Sequence, residues 1–324
     1  MASPNSTFTE MVTTTLRNHP TEIADNVSQN NAFYRRLQTK GQIKKLDGGY
    51  QIVRPLDYQN NSTFQRYSGF DTLNINASDV LTSAQYEWVQ SAINVVSSGR
   101  ELRMNSGREQ IISLAAARTK NAMRTAANYM SIDLYSSGAL ANQMGGLAAI
   151  ITTDGTGTVG GINSATYSFW ANQYLELSGT NTWSKSNIKG EMNKLWLTTV
   201  RGNDKPDLVI FSHDFYSAYW ESLQDNQRWT NNDNANSATA GFASLKYVTA
   251  DVIFDSNTNF STTAERGYFI NSDYLELVSH RDANWTTMDE KASVNQDGVV
   301  IPVLWMGQLV CSNRARQGIM IDAG

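Results

Sequence analysis

The chain is poor in cysteine, histidine and charged residues, and it has no long apolar run. Its 324 residues include one cysteine and three histidines, and 17% of the residues are charged. A single thiol excludes an internal disulfide framework. No stretch approaches the roughly 18 apolar residues of a membrane span, and no basic region followed by an apolar core marks a secretory signal. These absences predict a protein without a membrane partner, made in a cytoplasm.

Positive charge is also scarce. The formal net charge is −4 and the sequence pI is about 5.5, and no run of Lys or Arg occurs. A protein whose main task is to grip nucleic acid normally presents a basic face. The sequence therefore predicts at most incidental, non-specific contact with DNA.

Residues that could carry catalysis are widely separated. His19, His213 and His280 have no metal-ligand spacing, and Cys311 lies in an apolar run typical of a buried thiol. Neither a phosphate loop nor a nucleophile elbow is present, and the Asn-rich segment 225–244 lacks the order of a calcium loop. The sequence predicts no catalytic, cofactor-binding or metal-binding residues.

One motif raises the possibility of dinucleotide binding. Gly155, Gly157 and Gly160 have the spacing G-x-G-x-x-G, an apolar strand is predicted over 147–152, and Glu176 follows at a suitable distance. The motif requires a helix directly after the glycines, but the next residues lack any three- or four-residue apolar repeat. We therefore interpret the glycines as a loop between strands.

The first half of the chain predicts a hairpin and a long helix. Strand-like runs over 48–76 flank a turn at 59–62. Neither run alternates apolar and polar residues cleanly, so this hairpin is expected to lie against its own domain or a neighbour. An amphipathic stretch, 83–99, follows. A capping box, Ser106 with Glu109, then starts a helix that runs to a stop at Gly138.

That long helix is the largest predicted element. About 30 residues at 1.5 Å each give a rod of roughly 45 Å. Its predicted buried face comprises Ile112, Ala115, Ala116, Thr119, Met123, Ala126 and Met130.

The second half has mixed α/β texture. The pattern predicts a helix with Ile188, Met192, Leu195, Trp196 and Thr199 on one face, then a buried strand over 207–211. Ser212 is predicted to cap a helix that buries Phe215, Tyr216, Tyr219 and Leu223. A surface loop over 225–244 and several strands follow. The tail from Val299 predicts two antiparallel strands that close one sheet.

The order of these elements, and several local phrases, resemble the major capsid proteins of tailed bacteriophages, which have the Hong Kong 97-type fold. The phrases are "FQRYSGFDTLNINASDVLTSAQYEWVQSAINVVSSGRELRMNSGREQII", "LANQMGGLAAIITTDGTGTVGGI", "KPDLVIFSHDFYSAYWESLQ", "DVIFD", "GYFINSDYLELV" and "VLWMGQLVCSNRARQGIMI". The first phrase resembles the return strand of the hairpin, an entry helix over 83–99 and the start of the spine helix. The resemblance covers nearly the whole chain.

This resemblance implies an α+β fold with four parts. They are an N-terminal arm, 1–47; an extended β-hairpin loop over a neighbouring subunit, 48–76; a peripheral domain, 77–139 and 266–324, with a spine helix at about 106–138; and an axial domain, 140–265, whose loops meet at five- and six-fold axes, with 225–244 as a candidate contact.

The implied function is structural and non-enzymatic. The chain would form pentamers and hexamers of an icosahedral shell in the virion, assembled in the host bacterial cytoplasm around double-stranded DNA. A portal is implied, and the short segment before the hairpin implies a separate scaffolding protein or none. No lysine occurs between Lys45 and Lys120, so the Lys–Asn cross-link of the best-known member is not expected.

Three alternatives stay open. Within the same fold, the chain could be an encapsulin, the shell protein of a bacterial nanocompartment, although the arm and long hairpin argue against it. The glycine motif would suit a nicotinamide-dependent oxidoreductase. The Trp and Asn content would suit a secreted carbohydrate-binding protein, for which no signal peptide is seen.

Overall fold

A computed structural model describes residues 31–104, 114–177, 183–224, 245–255, 265–289, 291–292 and 296–322. The α-helices are α1 (Ala32–Thr39), α2 (Gly99–Met104), α3 (Leu114–Leu134), α4 (Leu147–Ile150), α5 (Ile188–Thr199) and α6 (His213–Gln224). The strands are β1 (Ile43–Leu46), β2 (Ile52–Asp57), β3 (Leu81–Tyr86), β4 (Val89–Ser98), β5 (Thr158–Val159), β6 (Ile162–Asn163), β7 (Gln173–Glu176), β8 (Leu208–Phe211), β9 (Leu245–Tyr247), β10 (Ala250–Phe254), β11 (Glu265–Ile270), β12 (Leu275–Thr287), β13 (Lys291–Ala292), β14 (Gly298–Cys311) and β15 (Gly318–Asp322).

A five-stranded sheet is built around β14. One edge of β14 pairs with β12 and β13, its other edge pairs antiparallel with β4, and β1 lies parallel to β12. Helix α3 packs against β4. Leu277 and Val278 of β12 and Leu309 of β14 are buried. Because consecutive strand residues point to opposite faces, both faces of the sheet are covered at this point.

A six-stranded sheet forms the second layer, in the order β7-β15-β11-β8-β10-β9. All four residues of β8 are buried, as expected for a central strand covered on both faces. Helices α5 and α6 cover the sheet: Ile188, Met192, Leu195, Trp196, Thr199, Phe215 and Tyr219 are buried as predicted, whereas Tyr216 and Leu223 are only half-buried. The mixed architecture confirms the α+β prediction.

Ser212 stands at the start of α6, where its carbonyl accepts from the backbone N–H of Tyr216 at 3.0 Å. Its hydroxyl donates to the carboxylate of Glu265 on β11, so this side chain ties α6 to the sheet.

Helix α3 is the predicted long helix, and its predicted start at Ser106 and Glu109 lies outside the described residues. The helix ends at Leu134, and Gly138 adopts a left-handed φ of 70° a turn later. Ala126 and Met130 are buried as predicted, but Ala122 rather than Met123 continues the buried row. The row advances in steps of four. No helix of the described ranges is long and apolar enough to cross a membrane.

Two predictions in the hairpin region are wrong. The return strand is β3, and the run from 63 to 75 contains no strand. The stretch 83–99, expected to form a helix, instead supplies the end of β3 and the whole of β4. Pairing of β4 with β14 over ten residue pairs decides the conformation here, because tertiary pairing outweighs a weak local helical preference.

Two further predictions are also wrong. Residues 147–150, expected in a strand, form the single turn α4. The two strands of the tail do not close one sheet: β14 lies in the five-stranded sheet and β15 in the six-stranded sheet. The chain crosses between the sheets through a 3₁₀ turn at Arg314–Arg316.

Candidate assembly surface

The hairpin of β2 and β3 is seated in the core of its own chain. Its inward side chains Ile52, Leu56, Ala84 and Tyr86 are buried. The Tyr86 hydroxyl donates to the carbonyl of Cys311 at 2.9 Å and accepts from the N–H of Cys311 at 3.2 Å. Burial raises the pKa of the Tyr86 phenol well above its ordinary value, so the hydroxyl stays protonated and can donate. The base of the hairpin is therefore fixed.

An ion pair strengthens this seat. The Arg54 guanidinium on β2 contacts the Glu276 carboxylate on β12, and both side chains are largely buried. A desolvated pair of this kind is costly to break from one side, because the other charge is left without its partner. It joins the hairpin base to the five-stranded sheet.

The connection between the two strands, residues 58–80, is here called the hairpin tip. Together with Leu81 it exposes a concentration of large apolar side chains: Phe64, Tyr67, Phe70, Leu73, Ile75 and Leu81. Phe64 is 79% exposed and Ile75 is 91% exposed. Isolated apolar side chains on a surface are ordinary, but a concentration of them marks a site of interaction with another protein.

The hairpin tip holds its own shape through polar contacts. The Gln65 amide donates to the carbonyl of Thr72 at 3.0 Å and accepts from the N–H of Asn74 at 3.1 Å. The N–H of Ser68 donates to the carboxylate of Asp71 at 2.8 Å. These bonds pre-order the exposed apolar side chains, which lowers the entropy cost of docking.

The glycine motif is not arranged for a dinucleotide. Residues after Gly160 form the short strand β6 rather than a helix, and β5 and β6 make a two-stranded hairpin. Glu176 lies in β7, paired with β15. The interpretation of a loop is correct, although a helical turn precedes it. Oxygen atoms of residues 152–164 accept hydrogen bonds from the guanidinium of Arg314.

The residues considered for chemistry are not brought together. His213 is exposed and lies 3.2 Å from Asp214, whose pKa its hydrogen bond lowers. His280 packs edge-on against Trp88, with ring centroids 5.9 Å apart. His19 lies outside the described residues. Cys311 is buried, and burial raises the pKa of its thiol to about 12. Within the described ranges, no group of three or more His, Cys, Asp or Glu residues could hold a metal ion.

A cavity of about 440 Å³ separates α1 from α3. Its lining includes Met123, Met130 and Leu134 of α3, Tyr34 of α1 and Trp285 of β12. The full lining contains no histidine, cysteine or carboxylate, and its Ser131 hydroxyl accepts from the Asn31 amide at 2.9 Å.

Comparison by sequence finds no matching family model and no matching curated protein. Comparison of structures finds matches over nearly the whole chain. The capsid protein in the asymmetric unit of cyanophage A-1(L) matches with a TM-score of 0.64 and 13% identity, covering 94% of this chain and 96% of that one. The capsid of cyanophage P-SCSP1u matches with a TM-score of 0.61 and 10% identity, covering 95% and 93%.

The SrpI encapsulin of Synechococcus elongatus PCC 7942 also matches, with a TM-score of 0.52 and 8% identity over 93% of this chain and 91% of that one. The chain thus has a fold shared by proteins of closed shells. More narrowly, it is the Hong Kong 97-type fold of tailed-bacteriophage capsids, as the resemblance in sequence implied.

Sequence reasoning missed two structural features. It placed the hairpin loop at 48–76, whereas the exposed tip reaches residue 80 and its return strand ends at Tyr86. It also gave no role to Arg314, which is fully buried. In the sequence, Arg314 stands in a polar stretch beside a second cation, Arg316, so nothing there distinguished it.

Proposed function

We propose that this chain is a major capsid protein, which self-assembles into the icosahedral head shell of a tailed bacteriophage and is not an enzyme. The observation that carries the proposal is the hairpin of β2 and β3. Its base is buried in its own chain, and its pre-ordered tip exposes apolar side chains. The likeness to phage capsids over nine-tenths of the chain supports the same conclusion.

In this proposal the tip lies over a neighbouring copy. One surface patch then docks on a different patch of the next subunit, which is a head-to-tail contact. Such contacts close into rings when the rotation between subunits permits, and we propose pentamers and hexamers as those rings. The domain division belongs to the same proposal: an arm, 1–47, and a peripheral domain that contains α3, with an axial domain over 140–265. Strands β11 and β15 lie in the six-stranded sheet with β7 to β10 of the proposed axial domain, whereas the predicted boundaries placed residues 266–324 with the peripheral domain.

The proposed partners follow from the same role. They are a portal, a separate scaffolding protein, and packaged double-stranded DNA in non-specific contact. The net charge of −4 supports weak contact with DNA, because few cations are available to displace counterions from phosphates. The proposed location is the virion, after assembly in the host cytoplasm.

The second candidate is an encapsulin-type compartment shell, which the likeness to SrpI favours. The two candidates differ in contents. Particles isolated from the natural source would enclose DNA in a phage head and a protein cargo in an encapsulin. Nuclease-resistant DNA in purified particles therefore separates them.

The main experiment substitutes the tip and observes assembly by negative-stain electron microscopy. We expect the wild-type chain to form shells or rings, and Phe70→Ser with Ile75→Ser to remain monomeric without loss of thermal stability. Leu140→Ser is the matched control, since Leu140 is 70% exposed and lies outside the hairpin. It should assemble as the wild type does.

Two outcomes would overturn the proposal. One is a wild-type chain that stays monomeric at high concentration. The other is a tip variant that assembles as well as the control, because the exposed side chains would then have no part in the contact.

A further inference from the structure

Arg314 is a buried cation held by neutral oxygens. Its side chain is fully buried in the 3₁₀ turn between β14 and β15. Each guanidinium hydrogen bond within the described part of the chain goes to an uncharged acceptor: the carbonyls of Ile150, Thr156 and Trp170 and the hydroxyls of Thr152 and Ser164. Burying a guanidinium is costly unless its donors are satisfied in this way.

Three of these acceptors belong to the segment 152–164, here called the glycine segment, and Ile150 lies two residues before it. The bonds from Arg314 to Thr152 Oγ1, Ser164 Oγ and the carbonyl of Thr156 measure 2.6, 3.1 and 3.2 Å. Gly155 has a φ of 73°, and a Cβ there would lie 2.8 Å from the carbonyl of Asn172. The glycines let the backbone curl closely enough for its oxygens to meet the guanidinium.

The glycine segment in turn supports the hairpin. The carbonyl of Gly160 accepts from the N–H of Gln85 on β3 at 2.9 Å. A Cβ on Gly160 would lie 2.9 Å from the Ala84 side chain and 3.1 Å from the Tyr86 ring. This close approach leaves little room for the hairpin to rotate relative to the segment.

A second contact joins β3 to the end of β14. Tyr86 on β3 bonds both backbone groups of Cys311, which ends β14 three residues before Arg314. Strand β3 is therefore held from two sides: by the glycine segment, which Arg314 bonds, and by the end of β14, three residues before Arg314.

We propose that Arg314 is a positioning residue that sets the direction in which the hairpin leaves the body of the chain, acting through the glycine segment. The consequence for assembly rests on the proposed function, because a neighbour can receive the tip only if its direction is fixed. The planar set of N–H donors on the guanidinium is needed for this positioning, and a positive charge alone is not enough. A lysine ammonium cannot reach all five acceptors.

The test measures hairpin direction in the dilute, unassembled chain by pulsed electron spin resonance. Spin labels are placed at Leu81→Cys on the far end of β3 and at Glu221→Cys on α6, and buried Cys311 stays unlabelled. We expect one narrow distance distribution in this background. The Arg314→Lys variant should instead give a broad distribution of distances between the two labels.

Two further variants control the test. Arg316→Lys is matched in chemistry and lies two residues away, where Arg316 donates to Thr199 at 3.2 Å; it should keep the narrow distribution. Gly160→Ala disturbs the contact between the glycine segment and β3 and leaves the arginine in place. It should also give a broad distribution, and it tests the positioning role if Arg314→Lys fails to fold.

An unchanged distribution in folded Arg314→Lys or in folded Gly160→Ala overturns the positioning role. Loss of shells in Arg314→Lys, with shells kept in Arg316→Lys, supports its consequence for assembly. If the distribution broadens but the wild-type chain itself forms no particles, the proposed function fails while the positioning role stands.

Discussion

Single residues in this chain show where the backbone tolerates strain. Val248 occupies the two-residue turn between β9 and β10 with a φ of 54° and is 67% exposed. A β-branched side chain in the left-handed region is strained, whereas asparagine enters that region readily. The apolar side chain gains little burial in return.

We expect Val248→Asn to raise the free energy of unfolding by about 1 kcal/mol, because it relieves the left-handed strain. Urea denaturation measures the change. Val248→Thr is the matched control, since it removes apolar surface but keeps the branched Cβ, and it should leave stability unchanged. Equal effects of the two substitutions would show that strain is not the cause.

Residue identities also explain what sequence reasoning could reach. The burial of Cys311 followed from its apolar neighbours, and the face of α5 followed from its period. Arg314 could not be assigned a role, because its five acceptors lie about 150 residues earlier in the chain. Only the folded topology brings them together.

Among the elements, α1 is held to the six-stranded sheet by charge. The Arg36 guanidinium lies 3.1 Å from the carboxylates of Asp207 and Asp251, and Lys40 lies 3.5 Å from Asp207. Asp207 also accepts from the hydroxyl of Ser272 at 2.6 Å. These contacts join α1 to the start of β8, to β10 and to the turn before β12.

We expect Arg36→Met to lower the free energy of unfolding by about 2 kcal/mol, between the values for exposed and fully buried pairs. Lys40→Met, on the same helix but more exposed, should cost less than about 1 kcal/mol. Chemical denaturation of both variants at low and high salt is the measurement. Higher salt should reduce the loss of unfolding free energy caused by Lys40→Met, because exposed charges are screened. It should reduce the loss caused by Arg36→Met less.

Helices α5 and α6 and strand β8 were predicted well, because the spacing of their apolar residues in the sequence agrees with the faces that are buried in the fold. Elements were predicted poorly where small residues blur the period. In β4, Ser91, Ile93, Val95 and Ser97 alternate toward one face, but the serines weaken that alternation in sequence. The partner strand β14 lies 200 residues later, and local preference cannot reveal such pairing.

At the scale of the whole molecule, the hairpin tip offers a direct probe of assembly. Arg66 is the single Lys or Arg between residues 58 and 80, and it is exposed. Trypsin should therefore cut the tip after Arg66 in the unassembled chain. In an assembled particle the bond should be protected, because the proposed contact places a neighbouring copy over the tip.

Mass spectrometry of the Arg66–Tyr67 bond, before and after assembly, measures this protection. Arg66→Lys should behave as the wild type, and Arg66→Gln should resist cleavage in both states, which confirms the site. Rapid cleavage in intact particles would place the tip away from any neighbour and contradict the proposed contact.

The position of β15 has a consequence for how the protein is made. This strand lies inside its sheet between β7 and β11 and buries Ile319 and Met320. A nascent chain cannot complete that layer until residue 322 has left the ribosome. A product that stops before Gly318 therefore lacks an inner strand, and β7 and β11 have no partner between them.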